Sequence, residues 1–131
     1  MSDQDVQVVR GMYESFNKGD VPAVLASCDA EVEWTEPGGG NSPSGTFKGP
    51  DSVGQDVFSK IPENFDEFEA APEDFNDDNG TVVVKGQFKG KSKSGAELDT
   101  EFEHTFELQD GKVVKLDNKV EDADAWAAAW S

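Results

Sequence analysis

The chain has 131 residues, of which 28 are acidic and 11 are basic, so its formal net charge at pH 7 is -17. This length fits one domain with one hydrophobic core. The charge argues against nucleic acid and anionic membranes as partners, because phosphate groups need a basic surface, and no apolar run approaches the roughly 18 residues of a membrane-spanning helix.

Composition also indicates the compartment. Residues 1–5 lack the basic and apolar segments of a secretory signal, and the single cysteine, Cys28, excludes an intramolecular disulfide. We therefore expect a cytoplasmic protein. Nine Phe and three Trp residues argue for a folded domain rather than acidic disorder. Such an acidic exterior resembles proteins of halophilic cytoplasms, where salt screens the self-repulsion.

Two short amphipathic helices are predicted at the start of the chain. Ser2 and Asp5 have capping-box spacing, and the apolar stripe that follows has a helical period: Val6, Val9, Tyr13 and Phe16. Gly19 is the expected C′ residue of this helix. Asp20 is expected to cap a second helix, with Pro22 in its first turn.

A first strand, a loop and a third helix are predicted next. Residues 31–37 alternate, which places Trp34 and Glu36 on one face. Residues 38–45 predict a long flexible loop, too small and polar to pack. The third helix is expected to end at Pro62. Its apolar positions are Val53, Val57, Phe58 and Ile61.

Four further strands and a short helix complete the prediction. Residues 65–75 predict a strand broken near Pro72, and residues 81–90 predict a strand with Val82, Val84, Gly86 and Phe88 on one face. Two long strands, 97–108 and 113–121, follow with a tight turn between them. Asp122 or Asp124 is expected to cap the last helix. Its two tryptophans, Trp126 and Trp130, could anchor it on the sheet, cover a cavity mouth or join a dimer.

The strand 97–108 carries the only histidine of the chain. Its alternation is nearly perfect, and the predicted inward residues are Leu98, Thr100, Phe102, His104, Phe106 and Leu108. On the last strand, the predicted inward residues are Val114, Leu116 and Asn118. An amide in such a row needs a partner, so Asn118 either pairs with a neighbour such as His104 or points at a ligand.

The order of elements predicts the fold class. Helices first and a run of antiparallel strands after them are typical of an α+β domain. A strongly curved antiparallel sheet wrapped around the N-terminal helices would enclose a conical cavity. The whole chain is expected to form this single domain.

The ordered set of short motifs resembles the NTF2-like superfamily, and within it the SnoaL-like branch related to ketosteroid isomerase. The motifs that carry the resemblance span nearly the whole chain: YESFNKGD at 13–20, VEWTEP at 32–37, GPDSV at 49–53, VF at 57–58, TVVVKG at 81–86, EHTF at 103–106 and DGKVV at 110–114. The resemblance implies a cone-shaped, often dimeric domain with a deep apolar pocket.

The resemblance does not extend to the isomerase triad, in which a carboxylate base works opposite a tyrosine and a protonated aspartic acid. Those positions align with Trp34, Met12 and His104, respectively. Closer SnoaL-like relatives often carry Trp, His and a Tyr-x-Asp on the last strand. Trp34 and His104 match these, whereas Lys119 and Glu121 replace the tyrosine and the aspartate.

The candidate catalytic residues are His104 and Glu36. His104 could act as an acid/base or bind a substrate oxygen, or be a satisfied histidine between strands. Glu36 could be a base with a raised pKa at the mouth of an apolar pocket, or one more surface carboxylate. The predicted ligand contacts are Tyr13, Trp34, Phe88, Phe106 and Asn118.

Three functions fit these residues. The first is proton transfer on a small apolar carbonyl compound, of the isomerase or cyclase kind. The second is small-molecule binding without chemistry, and the third is a protein-interaction module that uses the outer sheet face. We expect no metal or cofactor, because a lone His has no recognisable metal-ligand spacing around it. A homodimer across the outer sheet face is expected, with Lys85, Lys89, Lys115 and Lys119 pairing against the acidic residues there.

Overall fold

A computed structural model of the chain describes residues 2–131, with side chains from residue 4 onward. The elements are α1 Ser2–Asn17, α2 Val21–Ala26, β1 Cys28–Pro37, β2 Ser44–Lys48, α3 Pro50–Val53, a π-helical turn Gly54–Phe58, α4 Lys60–Asn64, β3 Phe65–Asp78, β4 Thr81–Ser92, β5 Glu97–Gln109, β6 Lys112–Val120 and α5 Ala123–Ala129. Within the described residues, no helix combines the length and hydropathy needed to cross a membrane.

The predicted pair of N-terminal helices is confirmed. Gly19 has a φ of 81°, a left-handed conformation that costs glycine least. The Asp20 side chain accepts a hydrogen bond from the backbone N–H of Ala23 at 3.2 Å, and Pro22 lies in the first turn of α2. The capping contact predicted for the Ser2 side chain lies outside the described residues.

The strands form one curved, open, six-stranded sheet in the order β2-β1-β6-β5-β4-β3. All neighbours are antiparallel except β1 and β6, which are parallel. The predicted α+β class is therefore confirmed. Asn79-Gly80 and Asp110-Gly111 each have positive φ at both residues, as the two-residue turns of β-hairpins require.

The prediction of a flexible loop at residues 38–45 is wrong. Residues 44–48 form β2, which pairs with β1, and the rest of the segment packs against α5. The backbone N–H of Asn41 donates to the carbonyl of Trp130 at 2.9 Å, and the Trp126 indole donates to Ser42 Oγ at 3.2 Å. The segment can pack because its small residues let the backbone approach α5 closely: a Cβ on Gly40 would lie 2.5 Å from the Ala127 carbonyl oxygen.

The prediction that Pro62 stops the third helix is also wrong. The helix is interrupted earlier, at the π-helical turn, and α4 restarts at Lys60. Pro62 therefore lies in the first turn of a new helix, where its missing N–H leaves no bond unmade. α4 ends at Asn64, where the backbone becomes extended at Phe65.

Two of the register shifts in the sheet bear on the predicted strands. β3 is continuous through Pro72, and the predicted break is a register shift between Pro72 and Asp74. A second shift near Leu108 changes the inward parity of β6, so that Val113 is fully buried and the predicted Val114 is only half-buried. The extra residue at such a bulge gives the side chains on its two sides opposite parity, so Leu116 and Asn118 keep the predicted inward face and Val113 joins them.

The hydrophobic core lies between the concave sheet face and the helices. Every predicted inward residue of β5 is buried. Trp126 and Trp130 are buried within the chain at 2% exposure each. Trp126 contacts Phe68 and Phe88 and Trp130 contacts Phe65, all on β3 and β4, so the first of the three expectations, anchoring α5 on the sheet, is observed.

Candidate functional site

The site is a row of polar side chains across three neighbouring strands. His104 on β5 lies directly opposite Asn118 on β6, and β6 pairs with β1 so that Trp34 is beside Leu116. Glu36, two residues after Trp34, therefore lies beside Asn118. Strand pairing that is distant in sequence brings these side chains together on the concave face.

Hydrogen bonds join the row into one buried chain. Tyr13 Oη lies 2.6 Å from His104 Nδ1, and His104 Nε2 lies 2.8 Å from Asn118 Oδ1. Asn118 Nδ2 donates to Glu36 Oε1 at 3.1 Å. Trp34 Nε1 donates to Glu36 Oε2 at 2.7 Å. Of the two possibilities for Asn118, pairing with His104 is thus the one the structure contains.

The ionised state of Glu36 fixes the direction of each hydrogen bond in the row. An ionised carboxylate only accepts hydrogen bonds, so the amide nitrogen of Asn118 faces Glu36 and its oxygen faces His104. While Glu36 is ionised, His104 carries its proton on Nε2, and Nδ1 accepts from the Tyr13 hydroxyl. Every hydrogen-bond donor in this row of side chains points along the row towards the Glu36 carboxylate.

Burial dominates the charge state of Glu36. Desolvation raises the pKa of this carboxyl from 4.5 to about 7, against the lowering effect of the hydrogen bonds from Asn118 and Trp34, and the nearby Asp117 charge raises it slightly further. Glu36 is 9% exposed, so it is an interior carboxylate and not one more member of the acidic surface. It can hold or release a proton near neutral pH.

Burial has the opposite effect on His104. Desolvation lowers the pKa of the imidazole to about 3, and the hydrogen bond with Asn118 only partly offsets this. The ring also stacks on Phe102, with ring centroids 4.0 Å apart. His104 is therefore a neutral link, fixed in orientation and with both nitrogens occupied by protein partners.

The polar row faces an apolar cavity of about 80 Å³. All seven site residues predicted from sequence line this cavity: Tyr13, Trp34, Glu36, Phe88, His104, Phe106 and Asn118. Trp126 and Trp130, which from the sequence could cover a cavity mouth, and Met12, which aligns with the isomerase tyrosine, also line it. Phe58 and Phe68 are further wall residues, and their only signal in the sequence was that they are apolar.

A surface depression of about 560 Å³ adjoins the cavity, between the end of α1, the π-helical turn and the start of β3. Four side chains line both spaces: Phe16, Phe58, Ile61 and Phe68. Phe16 contacts Phe58 and Phe68 with ring centroids 5.7 and 5.9 Å apart. These side chains form the wall between the cavity and the depression. Among the residues from 4 onward, no cluster of three His, Cys, Asp or Glu side chains is arranged to hold a metal ion.

Fold and site together define a class, the α+β cone with an internal cavity. The model of the SnoaL-like domain matches residues 9–116, so the chain belongs to the SnoaL-like domain family. No curated protein sequence matches the chain at a significant level.

Solved structures resemble the chain along its whole length. An NTF2-like protein of unknown function from Burkholderia pseudomallei is 26% identical, with 98% of each chain covered and a TM-score of 0.88. TerC, co-crystallized with polyporic acid, is 22% identical over 97% of this chain and 98% of its own, with a TM-score of 0.86. A protein from Xanthomonas campestris pv. campestris, provisionally described as a polyketide cyclase, is 19% identical over 99% and 98%, with a TM-score of 0.77.

Proposed function

We propose that this protein binds a small, mainly apolar carbonyl compound in its cavity and that Glu36 exchanges a proton with it. The observation that carries the proposal is a buried carboxylate, with a pKa of about 7, on the wall of an aromatic cavity. A base is most effective when its pKa lies near the working pH. Glu36 meets that condition, whereas an exposed carboxylate would be too weak a base.

The proposed step is an isomerase-like or cyclase-like proton transfer. A C–H proton next to the carbonyl group moves to the ionised Glu36 carboxylate. The C–H electron pair forms a C=C bond, and the carbonyl π pair moves to oxygen, which gives an enolate. Glu36 then returns the proton to another atom of the enolate. No electron acceptor or cofactor is needed for this balance.

His104 has a positioning role in this scheme rather than the acid/base role expected from sequence. Its two nitrogens are occupied by Tyr13 and Asn118, and a pKa of about 3 keeps the ring neutral at physiological pH. It holds Asn118 so that the amide donates to Glu36. This stabilises the ionised carboxylate and fixes its direction.

The size of the cavity limits the ligand. At about 80 Å³ it is roughly half the ~150 Å³ of an engineered cavity that binds benzene. A compound of a few heavy atoms fits among the present side chains. A larger one, including a ring compound such as cyclopentanone, requires Phe16 or Ile61 to move towards the adjoining depression, and both side chains are only half-buried.

Non-catalytic binding is the second candidate. It is favoured by the fact that each oxygen of Glu36 already accepts one hydrogen bond. The names of two structural relatives, one co-crystallized with polyporic acid and one provisionally described as a polyketide cyclase, agree with small-molecule binding and do not separate the two candidates. A protein-interaction module is less favoured, because it would not need a buried polar row beside a cavity.

Hydrogen–deuterium exchange separates an enzyme from a binder. Cyclopentanone is incubated with protein in D2O, and loss of its α-proton signal is followed by NMR. We expect the wild type to accelerate exchange and Glu36→Gln to abolish the acceleration. Glu33→Gln, on the exposed face of the same strand, is the control and should retain it. Binding shifts without exchange in the wild type would reject catalysis and leave the binder.

The family resemblance leads to a proposal about assembly, and the acidic surface to one about the setting. We propose a homodimer across the outer sheet face in a salt-rich cytoplasm, where salt screens the net charge of -17. Light scattering after size exclusion should give twice the chain mass in 2 M KCl. A monomer at all salt concentrations and millimolar protein would reject this proposal.

A further inference from the structure

Trp130 is held rigidly at the end of the chain. It is 2% exposed, its backbone N–H donates to the Trp126 carbonyl at 3.3 Å, and its carbonyl accepts from Asn41 at 2.9 Å. Its ring packs edge to face against Phe65, with ring centroids 5.0 Å apart. The indole is therefore packed into the cavity wall.

The indole N–H of Trp130 is an unpaired buried donor. Its Nε1 has no hydrogen-bond partner within the part of the chain that the structure describes. The three tryptophans all line the cavity, and the other two are satisfied: Trp34 by Glu36 and Trp126 by Ser42. Leaving a buried N–H unpaired is unfavourable and uncommon in folded proteins. This donor belongs to a side chain that lines the cavity. The nitrogen itself has almost no exposed surface, so a ligand oxygen reaches it when the ligand displaces a neighbouring side chain, as the small cavity volume already requires.

We propose that the Trp130 indole N–H binds the oxygen of the cavity ligand. This inference rests on the proposed binding function and adds the residue that binds the oxygen of the ligand. The N–H only donates, so it selects an acceptor oxygen and disfavours a ligand whose polar group is an ammonium. The ionised Glu36 repels anions, and the aromatic walls exclude strongly polar groups. A neutral ketone satisfies all three conditions.

The experiment uses two probes of nearly equal shape. Cyclopentanone carries the carbonyl oxygen, and methylenecyclopentane replaces it with a CH2 group. Each is titrated into ¹⁵N-labelled wild-type protein, and the three indole N–H signals are followed. Trp126→Phe and Trp130→Phe each remove one signal and so assign them. We expect cyclopentanone to move the Trp130 signal downfield, and methylenecyclopentane to bind without that shift.

The variants give a second, quantitative measurement. Trp130→Phe keeps an aromatic wall and removes the donor, so it should weaken cyclopentanone binding about threefold to tenfold, the range of one neutral hydrogen bond. Methylenecyclopentane binding should change less than twofold. Trp126→Phe is the matched control, because its N–H is already bonded to Ser42, and it should affect both probes equally.

The outcomes separate this inference from the binding function on which it rests. If cyclopentanone moves the Trp34 indole signal but not that of Trp130, binding stands and the role of Trp130 is rejected. Equal losses for both probes in Trp130→Phe also reject it, because the ring and not the donor would then matter. If neither probe moves any indole signal, the binding function fails as well. The wild-type titration decides this even if a variant folds poorly.

Discussion

Replacing Glu36 by Gln is expected to change how the stability of the protein depends on pH. In the wild type the folded state raises the pKa of this carboxyl from 4.5 to about 7. The folded protein therefore holds the proton more tightly than the unfolded chain does. Stability from this group is fully present below pH 4.5 and is lost as the pH rises through 7. An amide side chain does not titrate, so the Glu36→Gln variant lacks this loss.

The magnitude follows from the size of the pKa shift. A shift of two and a half pH units corresponds to about 3 kcal/mol, of which ~2.5 kcal/mol falls between pH 5 and pH 8. His104 has the opposite dependence, because its lowered pKa of about 3 makes it destabilising as the pH falls below 6.5. Both proteins contain His104, so its contribution largely cancels in their difference.

The measurement is urea denaturation of wild type and Glu36→Gln at several pH values from 5 to 8, in constant 0.5 M KCl. The NH2 group of the introduced amide faces one of the two donors, Trp34 or Asn118, and this costs free energy at every pH. The test is therefore how the free energy of unfolding changes with pH. Between pH 5 and pH 8, the free energy of unfolding of the variant should rise by ~2.5 kcal/mol relative to that of the wild type. Glu33→Gln should keep the wild-type slope. A constant difference between wild type and Glu36→Gln, within about 0.5 kcal/mol, would refute the buried, proton-holding carboxylate.

Four further predictions concern stability and use urea or thermal denaturation. Tyr13→Phe leaves His104 Nδ1 without its donor and should cost about 1–2 kcal/mol; no loss would mean that the 2.6 Å contact is not a stabilising hydrogen bond. Gly86→Ala should cost at least ~2 kcal/mol, because a Cβ there would lie 2.7 Å from Phe102 Cζ and closer still to a backbone oxygen of β3. Gly11→Ala, at an open helical position, should instead stabilise by ~0.5–1 kcal/mol. The melting temperature should rise from low salt to molar KCl, because salt screens the charge of -17, and an unchanged melting temperature would reject the halophilic interpretation of the surface.

The sequence was most informative where side chains alternate without interruption. The inward face of β5 was predicted completely, since period-two alternation of large apolar residues leaves one choice of face. That alternation alone placed His104 inside. The parity of Trp34 and Glu36 followed in the same way from β1, and Asn118 from β6.

The register between β1, β6 and β5 could not be predicted from the sequence, and the site depends on it. That Glu36, Asn118 and His104 meet in one row depends on the parallel pairing of β1 with β6, which are far apart in sequence. The bulge near Leu108 that exchanged Val113 for Val114 has no clear local signal. β2 was missed because its sequence, SGTFK, has no apolar alternation and is held by pairing with β1.

The role of Trp130 shows another limit of the sequence. An aromatic pair one turn apart predicts burial, and both tryptophans are buried. Whether each indole N–H finds a partner depends on the loop that lies beside it. Ser42 reaches Trp126 because residues 38–43 fold against α5, and nothing comparable in the described part of the chain reaches the Trp130 nitrogen.

The most direct measurement of the proposed function is a crystal structure of the protein bound to the compound that co-purifies with it. We predict a neutral, mainly apolar carbonyl compound among the aromatic walls of the cavity, with an atom within about 3 Å of a Glu36 carboxylate oxygen. A compound bound elsewhere on the protein, with the cavity filled by Phe16 and its neighbours, would contradict the account.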